Sequence, residues 1–469
     1  MDATTLAFAG AAEQARLIRA GEVSSRELVE AVLARIDRLD PALNAYRVVL
    51  AERALAEADQ ADGRRRAGGP AEERPLLGVP IAIKDDVDVA GELTAWGTAA
   101  HDGPVARDAE VVRRLRTAGA VIVGKTLVPE MTMLPATDTT TFGSARNPWD
   151  LARTPGGSSG GSAAAAAAGL CGVALGSDGA GSIRNPAGWT GLFGIKPTRG
   201  RVPVAPHDDA WQGLSVNGPL ARTVADAALF LDATVLDAGV PEGGFAAAAG
   251  RAPGRLRIAV STKAPPGALP RLGAEERRAV ESTAALLRGL GHDVVERDPD
   301  YPAAIWPAGF IRVLRGIADD VASSMPHPER LEPRTRRVAA VGRGIPERTV
   351  RWARSAEAAQ HAQLARLWDD VDVLLTPAAA DGPYAAGVVG RWGAATYLAR
   401  SAERLTWMPV WNVTGQPAAS VPAGLDDDGL PVGVQLVGRR GEDALLLALS
   451  AQIEAVRPWG DRRPAMAAA

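Results

Sequence analysis

Apolar residues along the chain alternate between helical spacing and short continuous runs. The stretch Ser24–Glu27 reads SSRE, a capping box that predicts a helix over Leu28–Leu39, and Pro41 follows that helix. A second, Ala- and Glu-rich helix is predicted over roughly Val48–Ala61. The polar segment Asp62–Arg74, which contains glycines and a proline, is predicted to be a loop.

Further along, short apolar runs follow helical segments in a repeated order. The run VPIAIK within Pro75–Val87 predicts a strand, and Val111–Gly119 predicts a helix that leads into the apolar run Ala120–Gly124. Later segments continue this order: Glu275–Gly291 before Val294–Glu296, Ser355–Asp370 before Val371–Thr376, and the strands ASVPAG and PVGVQLVG around the turn Asp426–Gly429. The pattern predicts an α/β protein with a single large mixed β-sheet core covered by helices on both faces.

We expect one domain over residues 1–469, because the chain shows no internal repeat and no long low-complexity segment. Helices within residues 1–62 are expected to pack on the core. Residues 237–368 carry several helical segments and few motifs, and we expect them to form a cap or a wall of a substrate pocket. The alanine run 163–168 is typical of a tightly packed helix.

Composition narrows the possible functions. Hydrophobic residues make up 46% of the 469 residues, and the formal net charge is -3, which does not favour nucleic acid or an anionic membrane surface as a partner. The single cysteine, Cys171, excludes an intrachain disulfide and a cysteine metal cluster. The five histidines show no ligand spacing, so neither a metal nor an organic cofactor is expected.

Membrane and export signals are weak. No basic residue precedes the apolar stretch Leu6–Ala12, so a signal peptide is not expected. The longest apolar run, Ala163–Gly176, is 14 residues of mostly Ala and Gly, too short to span a bilayer. We therefore expect a cytoplasmic protein.

Two stretches rich in glycine and serine are candidates for chemistry. Residues 156–162 read GGSSGGS and lead into the alanine helix, which is consistent with a capped helix entry or, more weakly, with a phosphate cradle that lacks the lysine of a P-loop. Residues 177–184 read SDGAGSIR. There the N–H groups of Gly179, Ala180 and Gly181 either form a simple loop or converge on one oxygen atom, as an oxyanion hole requires.

A hydrolytic serine needs a base, and no histidine lies near these serines in the sequence. The best candidate is Lys84, in GVPIAIKDDVD, although a lysine at a strand end often lies on the surface. Burial would lower the pKa of Lys84 and allow it to accept a proton, whereas Asp85, Asp86 and Asp88 would act in the opposite direction unless they point elsewhere.

Together these pieces resemble the amidase signature family of Ser–Ser–Lys hydrolases. The resemblance covers roughly residues 20–235 and 370–456 and rests on these stretches in fixed order: GVPIAIKDD, GKTLVPE, FGSARNPWD, TPGGSSGGSAAAAAAG, SDGAGSIRNPA, GLFGIKPTRGRV, VLLTPAA, NVTGQPAASVPAG and GLPVGVQLVG. The resemblance implies an amidase-signature fold and a metal-independent amidohydrolase that forms an acyl-enzyme.

The resemblance also implies roles for individual residues. Ser182 would be the nucleophile, Ser158 the serine that relays the proton and Lys84 the base, with a cis peptide bond between Gly157 and Ser158. The oxyanion would be met by the backbone N–H groups of the oxyanion loop, Gly179, Ala180, Gly181 and Ser182.

Three further residues would support this arrangement. Asp178 and Arg184 bracket the nucleophile and would shape the loop, and Ser159 would be a hydrogen-bond partner of the catalytic groups. The chain departs from the family at Ala180, where glycine is usual. Alanine keeps the N–H donor, but it would be strained if the position required a positive φ.

The loop after Glu130 predicts the substrate class. It carries Met131, Met133 and Leu134 and no basic residue, although these side chains can equally pack in the core. Large apolar residues of the middle and late chain are candidates for the same pocket: Trp306, Phe310, Trp352, Trp407 and Trp411. Such a pocket favours small uncharged amides with hydrophobic or aryl groups, the substrates of an aryl acylamidase. It also suits carbamates, the substrates of a urethanase, and esters.

Two other functions stay open. The family also includes the glutamine-hydrolysing subunit of tRNA-dependent amidotransferases, which works with a tRNA-binding partner. A non-catalytic binding protein on the same scaffold is the other, although intact Lys84, Ser158 and Ser182 argue against it. We expect a monomer or a homodimer whose partner is a small-molecule amide or carbamate, with no nucleic acid and no membrane.

Overall fold

A mixed sheet of eleven strands forms the centre of the protein. The computed structural model describes residues 2–68, 74–207, 209–236, 239–268 and 270–468. The strands of this sheet are β1 (Tyr46–Val49), β2 (Pro80–Lys84), β3 (Val121–Thr126), β6 (Val173–Asp178), β7 (Phe193–Lys196), β8 (Val216–Ala221), β9 (Arg257–Val260), β10 (Asp293–Glu296), β11 (Val373–Pro377), β12 (Ala418–Leu425) and β13 (Pro431–Gly438). The short strands β4 (Asp138–Thr139) and β5 (Gly143–Ser144) form a separate hairpin.

The order across the sheet is β1-β3-β2-β6-β8-β7-β12-β13-β11-β9-β10. Strands β3, β2 and β6 are parallel neighbours on one side, and β11, β9 and β10 are parallel neighbours on the other. Antiparallel pairs connect the two groups through the middle of the sheet. The mixed sheet of the sequence prediction is therefore confirmed.

Eighteen helices are seen in the described part of the chain. They are α1 (Ala3–Phe8), α2 (Gly10–Ala20), α3 (Ser25–Leu43), α4 (Ala51–Ala67), α5 (Glu110–Thr117), α6 (Gly160–Ala167), α7 (Arg184–Thr190), α8 (Ala210–Gly213), α9 (Val224–Thr234), α10 (Gly244–Ala249), α11 (Ala274–Gly289), α12 (Ile305–Ser324), α13 (Pro333–Arg343), α14 (Glu347–Ala365), α15 (Ala394–Arg404), α16 (Val410–Val413), α17 (Asp443–Val456) and α18 (Ala465–Ala468). None of these helices is long and apolar enough to cross a membrane.

Helices cover both faces of the sheet because its strands bury side chains on both sides. In β2, Ile81 and Ile83 pack into a core with helices α5 and α9, whereas Ala82 between them packs against α3 and α6 on the opposite face. All alanines of 163–168 are buried, so α6 is the closely packed helix that its composition indicated. Small side chains there let the helix lie close to the sheet.

Helix α3 begins as predicted but ends later. The capping box is present, since Ser24 and Glu27 exchange hydrogen bonds at the first turn. The helix continues through Pro41, which lies in its last turns, and ends before Asn44, whose φ of 50° is left-handed. The carboxylate of Asp40 accepts hydrogen bonds from backbone N–H groups just beyond the helix. The predicted end at Leu39 was therefore too early.

The next two predictions also need correction. Val48 and Val49 are not helical; they lie in the edge strand β1 and pair with β3, which suits β-branched residues. Helix α4 extends to Ala67, so the first part of the segment predicted as a loop is helical. Asp62 in this helix is buried and accepts hydrogen bonds from two N–H groups at the start of α3. Residues 69–73 of the predicted loop lie outside the described part.

From the sequence, residues 1–62 are expected to pack on the core and residues 237–368 to form a cap or a wall of the pocket. Within residues 2–62, helices α1–α3 and most of α4 pack on the sheet, with β1 among them. Residues 239–268 and 270–368, the described part of the second segment, are not wholly helical, because β9 and β10 extend the sheet. Its helices α13 and α14 pack on α12, and α12 lies beside the oxyanion loop.

Candidate active site

The parallel strands β2 and β6 end at the same edge of the sheet, and this edge carries the candidate base. Lys84 is the last residue of β2 and is fully buried. Its Nζ lies 2.8 Å from Ser158 Oγ, 2.6 Å from Ser177 Oγ and 3.3 Å from the carbonyl oxygen of Ser177. Ser177 Oγ donates in turn to Asp86 at 2.5 Å. Lys84 is therefore held between two serines.

The acidic neighbours of Lys84 point in different directions. Asp85 pairs with the buried Lys125 at 2.8 Å, and Asp88 accepts a hydrogen bond from a threonine hydroxyl. Asp86 lies 3.3 Å from the Nζ of Lys84. Burial lowers the pKa of Lys84, and Asp86 opposes this effect only in part. The net direction favours the neutral amine that a base requires.

A backbone hydrogen bond joins the loops that carry the two candidate catalytic serines. The Gly157–Ser158 peptide bond is cis. Next to it, the N–H of Ser159 donates to the carbonyl oxygen of Ser182 at 3.3 Å, and the Ser159 hydroxyl donates to the carbonyl of Ser177 at 3.1 Å. Ser182 itself is half-buried. Residues from three separate stretches of sequence thus come together, as the motifs indicated.

The loop between β6 and α7 presents backbone N–H groups around Ser182. The N–H of Gly181 donates to Asp178 Oδ1 at 2.7 Å. It is therefore not free to bind an oxyanion, contrary to the expectation from the sequence. Within the described residues, no hydrogen bond occupies the N–H groups of Gly179, Ala180 and Ser182. Gly181 has a φ of 121°, whereas Ala180 is absent from the left-handed region, so alanine is not strained there.

A buried ion pair supports this loop. Arg184 is completely buried and donates to Asp178 at 2.9 and 3.0 Å. Asp178 also accepts from the N–H of Ile183 at 3.2 Å and from Asn412 Nδ2 at 2.9 Å. Asn412 Oδ1 in turn accepts from Arg184 at 2.6 Å. Asp178 thus binds both the backbone of the loop and the buried Arg184.

An apolar cavity of about 90 Å³ opens beside the loop. Gly179 and Ala180 form one end of it, and Ile305, Trp306 and Phe310 of α12 form a wall. The remaining walls come from Leu214, from α15 and α16 and from the turn between these helices, where Ser401 and Tyr397 carry polar groups. Two of the predicted pocket residues, Trp306 and Phe310, are thus placed beside the oxyanion loop.

Other candidates for the pocket lie in the core instead. Met131, Met133 and Leu134 are each less than 5% exposed and do not line the cavity. Met131 packs in one hydrophobic cluster, and Met133 and Leu134 pack in another. The loop therefore packs in the core, which was the alternative to a pocket role. Trp407 and Trp411 are also buried in the protein interior.

The sequence was also compared with known proteins. A family model described as Amidase matches residues 27–447 of the chain. The chain belongs to the amidase signature family.

Its relatives agree with this assignment. A protein of Mycobacterium tuberculosis that carries the amidase name AmiB2 is 57% identical over 99% of this chain and 100% of its own length. A 6-aminohexanoate-cyclic-dimer hydrolase of Paenarthrobacter ureafaciens is 34% identical over 97% of this chain and 96% of its own length. The chain is thus similar to amide hydrolases along its full length.

Solved structures of the family share the fold. A 6-aminohexanoate cyclic dimer hydrolase complexed with substrate superposes with a TM-score of 0.88 at 32% identity, over 98% of this chain and 99% of that one. A bacterial aryl acylamidase superposes with a TM-score of 0.85 at 27% identity, over 96% of each chain. The protein is accordingly an amidohydrolase with the amidase-signature fold.

Several residues of this amidase site were missed by sequence reasoning. Ser177 and Asp86 lie in the quoted motifs, but only the structure shows that they contact Lys84. Asn185 donates to the carbonyl of Gly157 at 3.2 Å. Trp211 lies over Gly179, where a Cβ would meet its ring at 2.7 Å. No local pattern identifies such residues, because their partners are distant in the sequence.

The His, Cys, Asp and Glu side chains of the described chain are the residues that could ligate a metal ion. Among residues 2–68, 74–207, 209–236, 239–268 and 270–468, no three His, Cys, Asp or Glu side chains are grouped closely enough to hold a metal ion. Two of the histidines make other contacts: the ring of His207 lies edge-to-face with Trp96 at 5.7 Å, and His292 accepts a hydrogen bond from the N–H of Leu256.

Proposed function

We propose that this amidase hydrolyses uncharged amides whose acyl or amine part is hydrophobic or aromatic, through an acyl-enzyme on Ser182. Carbamates and esters pass through the same tetrahedral chemistry and are further candidate substrates. The observation that carries the proposal is the buried contact of 2.8 Å between Lys84 Nζ and Ser158 Oγ, beside an apolar cavity lined by Gly179 and Ala180.

The contacts of Lys84 suit a neutral amine. A neutral amine has two N–H donors and one lone pair. The hydroxyl and the carbonyl oxygen of Ser177, at 2.6 and 3.3 Å, accept the two donors. The lone pair is then left for the hydroxyl proton of Ser158. In this arrangement Lys84 takes the proton of Ser158 as Ser158 takes that of Ser182.

The reaction then has two halves. Ser182 Oγ attacks the amide carbonyl carbon, and the oxygen that becomes negative is met by the N–H groups of Gly179, Ala180 and Ser182. Ser158 returns a proton to the leaving nitrogen, the C–N bond breaks, and the amine departs. Water, deprotonated by the same relay, attacks the ester and releases the acid together with free Ser182.

The cavity supports the choice of substrate. The side chains that line it are apolar apart from Ser401 and Tyr397, and no Lys or Arg is among them. Burying an aryl group against such walls contributes roughly 25 cal/mol per Å² of apolar surface, whereas a buried carboxylate without a partner is costly. The free α-carboxylate of glutamine finds no counter-charge in this cavity, which disfavours the amidotransferase alternative.

A substrate comparison tests the proposal. We expect kcat/KM for a nitroanilide or an aryl carbamate to exceed that for glutamine, asparagine and malonamate by at least tenfold. A higher value for any of these three charged amides would overturn the substrate assignment and favour the glutamine-hydrolysing function instead.

A labelling experiment tests the nucleophile and the non-catalytic alternative. A phosphonylating serine reagent is expected to modify the wild-type chain at Ser182, and Ser182→Ala is expected to lose both labelling and turnover while keeping its circular dichroism spectrum. An adduct on Ser158 or Ser159 would refute the assignment of Ser182. A wild-type chain that neither labels nor turns over any amide would favour the binding-protein alternative.

A further inference from the structure

A second cleft, of about 1020 Å³, opens beside the loop 209–215. None of the proposed catalytic residues lines it. Its walls carry four arginines and one histidine: Arg199, Arg312, Arg354, Arg440 and His361. The cleft is therefore polar and basic, in contrast to the apolar cavity beside Gly179.

Too few carboxylates serve these arginines. Glu357 is shared, since Arg199 lies 2.6 Å and Arg312 2.9 Å from its two oxygens. Asp209 pairs with Arg354. No carboxylate in the described part of the chain lies within ion-pair distance of Arg440, whose side chain is exposed. Two carboxylates thus face four guanidinium groups.

The third acid of the cleft does not change this balance. Glu110 lies on α5 and is occupied by two arginines of its own helix, Arg113 and Arg114, at 2.7 and 2.8 Å. The arginines of the cleft also act on one another. Burial lowers the pKa of Arg199, and Arg440 and Arg354 add to this against the effect of Glu357. Like charges held this close are stabilised by an added anion.

Two buried nitrogen atoms of residues that line the cleft have no partner in the described part of the chain. Among the described residues, Arg199 Nε and His361 Nδ1 are buried and make no hydrogen bond. A buried donor without a partner costs free energy, which a bound ligand or water recovers. Arginine presents several N–H groups in a planar fork that matches the oxygens of a carboxylate or a phosphate.

We propose that this cleft binds a small anion that carries a carboxylate or a phosphate group, held by Arg199, Arg354 and Arg440. This site is separate from the proposed amide hydrolysis and does not depend on it. Both chemistries present the planar or tetrahedral oxygens that arginine recognises, and the experiment below distinguishes them.

The loop 209–215 connects this cleft to the proposed catalytic site. Asp209 and Gly213 face the cleft, whereas Leu214 lines the apolar cavity and Trp211 lies over Gly179. A second connection runs through Arg199, which donates to the carbonyl oxygen of Val413 at 2.7 Å, directly after Asn412. An anion that binds Arg199 or Arg354 therefore contacts residues that are bonded to the segments beside the oxyanion loop.

Calorimetric titration tests the site directly. Inorganic phosphate and succinate are titrated separately into the full chain at constant ionic strength set with sodium chloride. We expect saturable one-site binding of at least one of them: phosphate alone identifies a phosphate ligand, succinate alone a carboxylate, and both the shared chemistry. The absence of saturable binding by either anion would overturn the proposal.

Two variants give the matched comparison. Arg440→Gln is expected to weaken binding roughly tenfold, because an exposed arginine that donates to the anion is removed. Arg351→Gln removes one exposed positive charge from α14 outside the cleft and is expected to leave binding unchanged. Equal losses in both variants would show a nonspecific charge effect and refute the site.

The link to catalysis has its own readout. Saturating the wild-type chain with the anion that binds is expected to change kcat for a neutral anilide, and Arg440→Gln is expected to need roughly tenfold more anion for the same change. A kcat that does not respond, at anion concentrations where calorimetry shows saturation, would refute the connection through loop 209–215.

Discussion

The buried carboxylate of Asp178 offers the sharpest test of how this site is built. Asp178→Asn keeps the size of the side chain but removes its charge. The native carboxylate accepts from the N–H groups of Gly181 and Ile183, from Arg184 and from Asn412, and its side chain is completely buried. Asparagine would replace one accepting oxygen with an NH₂ group that faces donors.

The expected cost follows from the burial of both partners. The side chains of Arg184 and Asp178 are 0% exposed, so the substitution leaves Arg184 charged and without a counter-ion in the interior. Breaking a buried pair in this way costs about 3–5 kcal/mol, a large part of the roughly 5–15 kcal/mol that stabilises a typical protein. Lys196 adds to the effect: burial and Arg184 lower its pKa to about 7, and the charge of Asp178, which opposes this lowering, would be lost.

Activity should fall as well as stability. Gly181 and Ile183 lose the acceptor that fixes their N–H groups, so the loop that carries Gly179, Ala180 and Ser182 loses its support. Donors that act only on the developing oxyanion affect kcat more than KM. We therefore expect kcat to drop by roughly a hundredfold or more, the scale associated with a lost oxyanion donor, with a smaller change in KM.

Urea unfolding followed by tryptophan fluorescence measures the stability, and anilide hydrolysis measures the activity. Glu30→Gln, which breaks an exposed pair with Arg26 on α3, is the control and is expected to cost less than about 1 kcal/mol. The double variant Asp178→Asn/Arg184→Met is expected to recover part of the stability but not the activity. A loss below about 1 kcal/mol in Asp178→Asn, or strict additivity in the double variant, would refute the reasoning.

Three further outcomes are expected. Activity should rise with pH as the lowered pKa of Lys84 is passed, because the neutral amine is the active form. Lys84→Ala should lose most of the rate, and Lys84→Arg should not restore it. Full activity of Lys84→Ala in a pH–rate measurement would contradict the assignment of Lys84 as the base. Phe310→Ala should lower kcat/KM for an anilide roughly tenfold, because Phe310 lines the cavity. Trp352→Ala should not, because Trp352 is exposed outside the cavity. Equal effects of the two substitutions on kcat/KM would contradict the assignment of the cavity as the substrate pocket. Gly181→Ala should lower kcat at least tenfold, since the φ of Gly181 is 121° and a methionine side chain occupies the space that a Cβ would need. The control Gly429→Ala, with a φ of 81° and open space around it, should remain active. A fully active Gly181→Ala would contradict the expectation that the loop requires glycine at this position.

Local patterns in the sequence were enough for the class of fold and for the principal groups of the site. Helical spacing and continuous apolar runs predicted the α/β order because burial on one or both faces follows from the residues themselves. The glycine-rich stretches around Ser158 and Ser182, together with Lys84, carried the family resemblance. Errors fell where local preference competed with distant contacts, as at Val48, which pairs with β3 instead of joining α4.

Only the tertiary structure decided which groups meet. Lys84 and Ser158 are 74 positions apart, and Asn412 reaches Asp178 across 234 positions. The sequence could not say that Asp86, not Asp85, faces Lys84, because both follow the same strand. Nor could it assign Met131 to the core. The physical reason is that hydrophobic patterning determines whether a side chain is buried, while the packing of distant elements determines what it is buried against.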